Sequence, residues 1–214
     1  MSQADPKVLV PVGQDLGPER TGPSASGYVY RVFDGVDVHE LDDDEYGVWK
    51  AAAGDPRSGD AAWGPELAMA AARRSGIDDP SAAMDDLVER GLLAEVLIGS
   101  EDAIRFSVLH RVDARMHILG ASADLVPGAA IGLPGQPLTA VSADCANLFL
   151  YGPVYDDLWT ACGAVAEVTP TEQFERVAKQ LMLAELFLME AQSLLAAGAL
   201  CFMRAHVDRS GLLR

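Results

Sequence analysis

The sequence predicts an α+β fold of tandem winged-helix-like units, each a β-hairpin followed by three helices. Three observations lead there. A β-rich pair of runs around Asp34-Gly35 precedes three helical stretches. The segment "MDDLVERGLLAEVLI" (84–98) closes a helix at a glycine and turns at once into a strand, and "EAQSLLAAGALCFMR" (190–204) repeats the pattern. With Trp49 set against Trp159, the distance to the closing glycine is 42 residues in one half and 39 in the other. Leu87, Gly91 and Leu93 then fall on Leu194, Gly198 and Leu200, as an internal duplication would place them. The expected divisions are a flexible N-terminal arm (1–27), a first winged-helix-like domain (28–114) and a second (115–214).

Taken in order, residues 1–27 are rich in Gly, Pro and Ser, and only "KVLVPV" is strand-like, with Pro11 disfavouring a central strand. Tyr28–Phe33 and Val36–Leu41 flank Asp34-Gly35 and read as a hairpin. Asp42 or Asp43 suits the cap of a first helix whose inner face is Trp49, Ala52 and Ala53, with Gly54 as its stop. A second helix is expected over Trp63–Arg74, with Leu67, Ala70 and Ala71 on one side and Gly76 at its end. Asp79 or Ser81 caps a third, with Pro80 in its first turn, Met84, Leu87 and Val88 on one stripe, and Gly91 as terminator. "LLAEVLI" and "AIRFSVL" read as a second hairpin, the wing. Beyond it, "RMHILGA", "AAIGLP" and "PLTAVSA" are short β-type runs, and "ANLFLYG" is short and apolar, interrupted by Pro153. "YDDLWTACGAV" is helical, with Leu158, Trp159 and Cys162 inward. A long helix follows, capped by Thr171 and interrupted near Met182, and "ALCFMR" is the last strand.

Half of the 214 residues are hydrophobic, enough for a sizeable core. Lys and Arg number 16 against 32 Asp and Glu, a formal charge of −16 that repels phosphate backbones and acidic membranes and favours a basic partner. The charge is uneven: residues 1–100 carry 8 basic and 19 acidic side chains, residues 101–214 carry 8 and 13. The more apolar second half therefore suits a homodimer interface or a docking face. No apolar run reaches the length of a membrane span, since Glu185, Glu190 and Gln192 interrupt the nearest candidate. Cys145, Cys162 and Cys201 form no Cys-x-x-Cys pair and fit buried small residues in a reducing cytoplasm. The N-terminus lacks the basic start and apolar run of a secretory signal, and a cytoplasmic location is expected.

Chemistry-bearing patterns are absent. His39, His110, His117 and His206 lack metal-ligand spacing, with His110/His117 the nearest to a pair. "DDDEY" lacks the alternating ligands and glycine of a calcium loop, and "GAAIGLPGQP" lacks the Lys-Ser/Thr ending of a phosphate loop. No nucleophile elbow occurs. The expectation is a non-enzymatic chain without metal or cofactor.

The hairpin, Leu41 before the acidic start Asp42–Glu45, the Val48-Trp49 helix ending at Gly54-Asp55, and a last helix running into Gly91-Leu92-Leu93 resemble the PqqD-like winged helix, the RiPP recognition element, over residues 28–98. Such modules typically bind an extended peptide as an added strand in a groove beside the third helix. The resemblance implies partner contacts at Tyr28, Tyr30, Val32, Met84 and Val88. The segment 54–62 is longer than that pattern leads one to expect, and the second half shares only the internal echo.

Two functions follow. The preferred one is an adaptor that binds a peptide or partner protein, basic in character, by strand addition. The alternative is a winged-helix transcriptional regulator, whose nucleic-acid contacts would be Arg73, Arg74, Arg105, Arg111 and Arg115. Its candidate recognition helix carries Asp85, Asp86 and Glu89 against a single Arg90, which opposes duplex binding.

Overall fold

A computed structural model describes residues 6–20, 28–55, 62–121, 128–167 and 173–206. The chain is mixed α+β, with seven helices and several small sheets among the described residues. In the first half, β1 (Lys7–Pro11) precedes an antiparallel meander, β2 (Gln14–Arg20), β3 (Tyr28–Phe33) and β4 (Val38–Leu41). Helices α1 (Asp43–Ala52), α2 (Pro65–Arg74) and α3 (Pro80–Glu89) follow, and β5 (Leu93–Leu97) returns to pair with β1. A connecting helix, α4 (Glu101–Leu109), leads to the second half. There β6 (His110–Ala114) precedes the meander β7 (His117–Ala121), β8 (Gly128–Leu133) and β9 (Gln136–Ser142). Helices α5 (Ala143–Tyr151), α6 (Leu158–Glu167) and α7 (Gln173–Ala196) come next, and β10 (Leu200–Arg204) pairs with β6. The order strand, meander, three helices, returning strand thus occurs twice.

Four expectations change. The arm holds the one short docked strand that "KVLVPV" suggested, but residues 14–20 form a second strand, and Val8, Leu9, Val10 and Val12 are fully buried rather than loosely attached. Successive strand side chains point to opposite faces. Val8, Val10 and Val12 join the larger core around α5–α7, while Leu9 joins the smaller one around α1–α3. Strand β1 therefore lies between the cores, which is why its sequence is an apolar run without alternation. The remainder of the arm, 1–5 and 21–27, lies outside the described residues, as does the Thr171 cap.

The expected wing is also different. "AIRFSVL" is helix α4, capped by Ser100, and β5 takes β1 as its partner instead. Ala103, Phe106 and Ser107 form a buried face at helical spacing. The short apolar "ANLFLY" lies in helix α5. The long helix α7 runs without interruption past Met182.

The matching of the halves shifts accordingly. The expected partner of the Trp49 helix was the Trp159 helix, but α5 occupies the place of α1, one hundred residues on. Asp42 and Ser142 cap the two helices through the N–H groups of Glu45 and Cys145, and Val48-Trp49 and Leu148-Phe149 are the buried pairs. The closing glycines do correspond. Gly91 (φ +72°) and Gly198 (φ +65°) sit in the left-handed region. After them, Leu92 donates to the Leu87 carbonyl (2.8 Å) and Ala199 to that of Leu194 (2.7 Å). Both are Schellman closures. The halves are joined where Val12 bridges Phe202 and the Gly13 N–H donates to the Phe202 carbonyl (2.7 Å).

Candidate functional site

Two kinds of feature could carry function: buried charge and open strand edges. The buried charge is Asp34, at the turn between β3 and β4 and fully enclosed. Its Oδ1 accepts from the N–H groups of Val36 (2.8 Å) and Asp37 (2.9 Å), the Asx geometry that makes Asp-Gly a turn signal. Its Oδ2 meets His39 Nε2 (2.8 Å) and an Arg204 guanidinium nitrogen (2.6 Å). Burial pushes the carboxyl up, but the Asp37 and Val36 N–H groups, His39 and Arg204 outweigh it and hold Asp34 below the usual carboxylate range. Gly35 (φ +105°) is required here twice over, because a Cβ would also lie 2.9 Å from the Arg204 carbonyl oxygen. His39 hydrogen-bonds to no serine, threonine or cysteine among the described residues. The cluster lacks a nucleophile and ties the last strand to the first hairpin.

The cysteines offer none either. Burial raises all three thiols, Cys162 to about 12, so they stay protonated at neutral pH. Among the described residues no group of three His, Cys, Asp or Glu could hold a metal ion. His110 and His117 open strands of different sheets.

The strand edges are more informative. Strand β3 is central in its meander and paired on both sides, so no peptide can add along Tyr28–Phe33. Val32 and Met84 are core residues, and Tyr30 stacks on Tyr46 at 4.0 Å. Tyr28 and Val88 are exposed. Of the five sequence-chosen contacts, only those two lie open to a partner, and on separate elements.

Each meander has two outer strands, β2 and β4 in one and β7 and β9 in the other, and the last of each leads into a helix. On β4, Val38 and Glu40 point their backbone groups outward. The Glu40 carbonyl, however, accepts from the Arg90 guanidinium (2.9 Å), which is also paired with Glu45 (2.9 Å) and Asp86 (3.0 Å). On β9, the Ser142 N–H points away from β8, to Glu190 Oε2 on α7 (2.8 Å). Antiparallel ladders alternate, so the N–H and C=O of Ala140 point outward as well. Leu138 on β9 is exposed, and so is Leu186, one turn from Glu190 on α7. This arrangement had no sequence signal, because a strand's edge position is set by its neighbours.

The arginines of the alternative reading are dispersed. Arg73 and Arg74 end α2, where they complement the helix dipole. Arg105 is paired with Asp102 (2.6 Å) and Arg115 with Asp113 (3.1 Å), while Arg111 is exposed on β6. Among the described residues no helix is long and apolar enough to cross a membrane. No family model matches the chain, and no curated protein or solved structure matches it.

Proposed function

We propose that the chain is a non-enzymatic adaptor built from two winged-helix-like units that binds an extended peptide or partner protein by strand addition. The observation that carries this is the outer edge of β9, open at Ala140 though taken up at Ser142 by Glu190, with Leu138 on the strand and Leu186 on α7 both exposed. A strand edge supplies main-chain hydrogen bonds to any extended segment, and the adjoining apolar side chains select among segments. The β4 edge is shorter and partly closed by Arg90, so the binding edge moves from the first unit, where the recognition-element resemblance put it, to the second. The acidic surface favours a basic partner and speeds encounter. The exposed third-helix residues Asp85, Asp86 and Glu89 disfavour a duplex, and Arg90 is held by carboxylates.

Ala140→Pro tests the edge. Its N–H lies outside the ladder, where proline is tolerated on an edge strand, so the fold should survive while strand addition is blocked. Affinity capture from the native cytosol should recover a partner with the wild-type chain and lose it with the variant. Sequence-dependent retention of genomic DNA fragments at physiological salt, without a protein partner, would instead establish the regulator reading.

A further inference from the structure

A cavity of about 380 Å3 opens where the two halves meet, between the β1–β2 corner, α1 and the junction of α7 with β10. Its volume lies within the range of small-molecule sites. The wall is apolar: the Trp49 indole, Ala53, Leu195 and Leu200. The Trp49 Nε1–H is already committed to the Val12 carbonyl (3.1 Å), so the ring offers only its hydrocarbon surface.

The polar groups at the cavity are unequally satisfied. Asp15 is the carboxylate in the lining, and it accepts from Tyr46 Oη (2.6 Å) and the Gly17 N–H (2.8 Å) and lies 3.5 Å from Lys50 Nζ. Its lone pairs are largely spoken for. Across the cavity Arg115 reaches Asp113 through one guanidinium nitrogen (3.1 Å). A guanidinium has five N–H donors and an ammonium three, so Arg115 and Lys50 together retain several unused donors. Both side chains remain partly exposed, at 32 % and 52 %. Cys201, in the same wall, accepts a hydrogen bond from Arg115 and adds no opposing charge, because burial keeps its thiol protonated. Within the lining two cationic side chains face one carboxylate, with Asp113 offsetting Arg115 from outside it, so the surplus at this site is of unused donors rather than of net charge.

From this juxtaposition we infer that the cavity is a binding site for a small amphipathic anion. Its carboxylate or other oxyanion would take the free donors of Arg115 and Lys50, and a compact apolar body would lie against Trp49, Leu195 and Leu200. A ligand there touches β1–β2 and α1 of one half and α7 and β10 of the other, so occupancy braces the two halves together. This site is distinct from the β9 edge and does not depend on peptide binding.

The probe is 3-phenylpropionate, with 3-phenylpropylamine as the isosteric cation and 3-phenylpropanol as the neutral control. Binding to the full chain is followed by ligand-observed NMR titration and by thermal melting. The acid should bind saturably and raise the melting temperature, the alcohol at least tenfold more weakly, and the amine not detectably. Arg115→Gln and Lys50→Gln should each weaken the acid about tenfold while leaving the circular dichroism spectrum unchanged. Ala53→Phe, which fills the cavity, should abolish binding of acid and alcohol alike. Equal binding of amine and acid, binding of the acid indifferent to both charge variants, or no saturable binding of the acid would each overturn the assignment. Should a variant misfold, the ranking of the three probes on the wild-type chain decides alone.

Discussion

His110 shows how burial alone creates a pH response. Enclosure lowers its pKa to about 4, and the nearby Arg204 adds to this, against the Phe106 carbonyl (2.9 Å) that accepts from its Nδ1 and the more distant Asp34. In the unfolded chain it titrates near ~6.5. The unfolded state therefore binds the extra proton between those values, so this part of the stability is complete above about pH 6.5 and is lost as pH falls towards 4. Urea unfolding should show the wild-type chain losing about 2 kcal/mol between pH 6.5 and 4.5 from this group, and His110→Gln should flatten that slope. An undiminished slope in the variant would assign it to another residue. Ser107 is a second buried residue with a readable consequence. Its hydroxyl is enclosed in α4 without a hydrogen-bond partner among the described residues. Ser107→Ala removes that unmet group at little loss of packing and should raise the unfolding free energy by about 1 kcal/mol in the same assay.

Among the elements, the two Schellman closures were legible because their chemistry is local. A helix that ends in a left-handed residue needs glycine, and Leu87-Gly91 and Leu194-Gly198 announce it. A Cβ at either glycine would meet nothing within 4 Å, so Gly91→Ala and Gly198→Ala should each cost about 1–2 kcal/mol through backbone strain alone. A thermal melt reads that loss directly, and a much larger drop would indicate packing not visible at these sites. The hairpin at Asp34-Gly35 and the Asp42 and Asp79 caps were legible for the same reason. Helices α4 and α5 were not. "AIRFSVL" and "ANLFLYG" are short, and their apolar spacing suits either period. Ser100 and Ser142 cap them, but serine also opens turns, and only the faces packed against α6 and α7 select the helix. Met84 and Val32 were chosen as contacts for being apolar on the expected groove, which is the same property that buries them.

For the whole molecule, the decisive segment is β1. If residues 1–12 were a loose arm, their removal would leave the melting transition where it is. With Val8, Leu9, Val10 and Val12 enclosed between two cores, the truncated chain should instead lose cooperative unfolding and bind 1-anilinonaphthalene-8-sulfonate. An unchanged melt would show that the two cores close without the strand. The same seam gathers the Val12–Phe202 bridge, the Asp34–Arg204 contact and the cavity beside Trp49, so the halves meet through the chain's first and last strands. Sequence alone determined the α+β character, the caps, the closing glycines and the acidic charge balance, because each depends on residues near in the chain or on composition. Tertiary structure decided which strands lie at edges, that α5 and not α6 answers α1, and that charges from both halves face one cavity. Those facts depend on pairings between residues up to about two hundred positions apart, for which a strand's own residues carry no address.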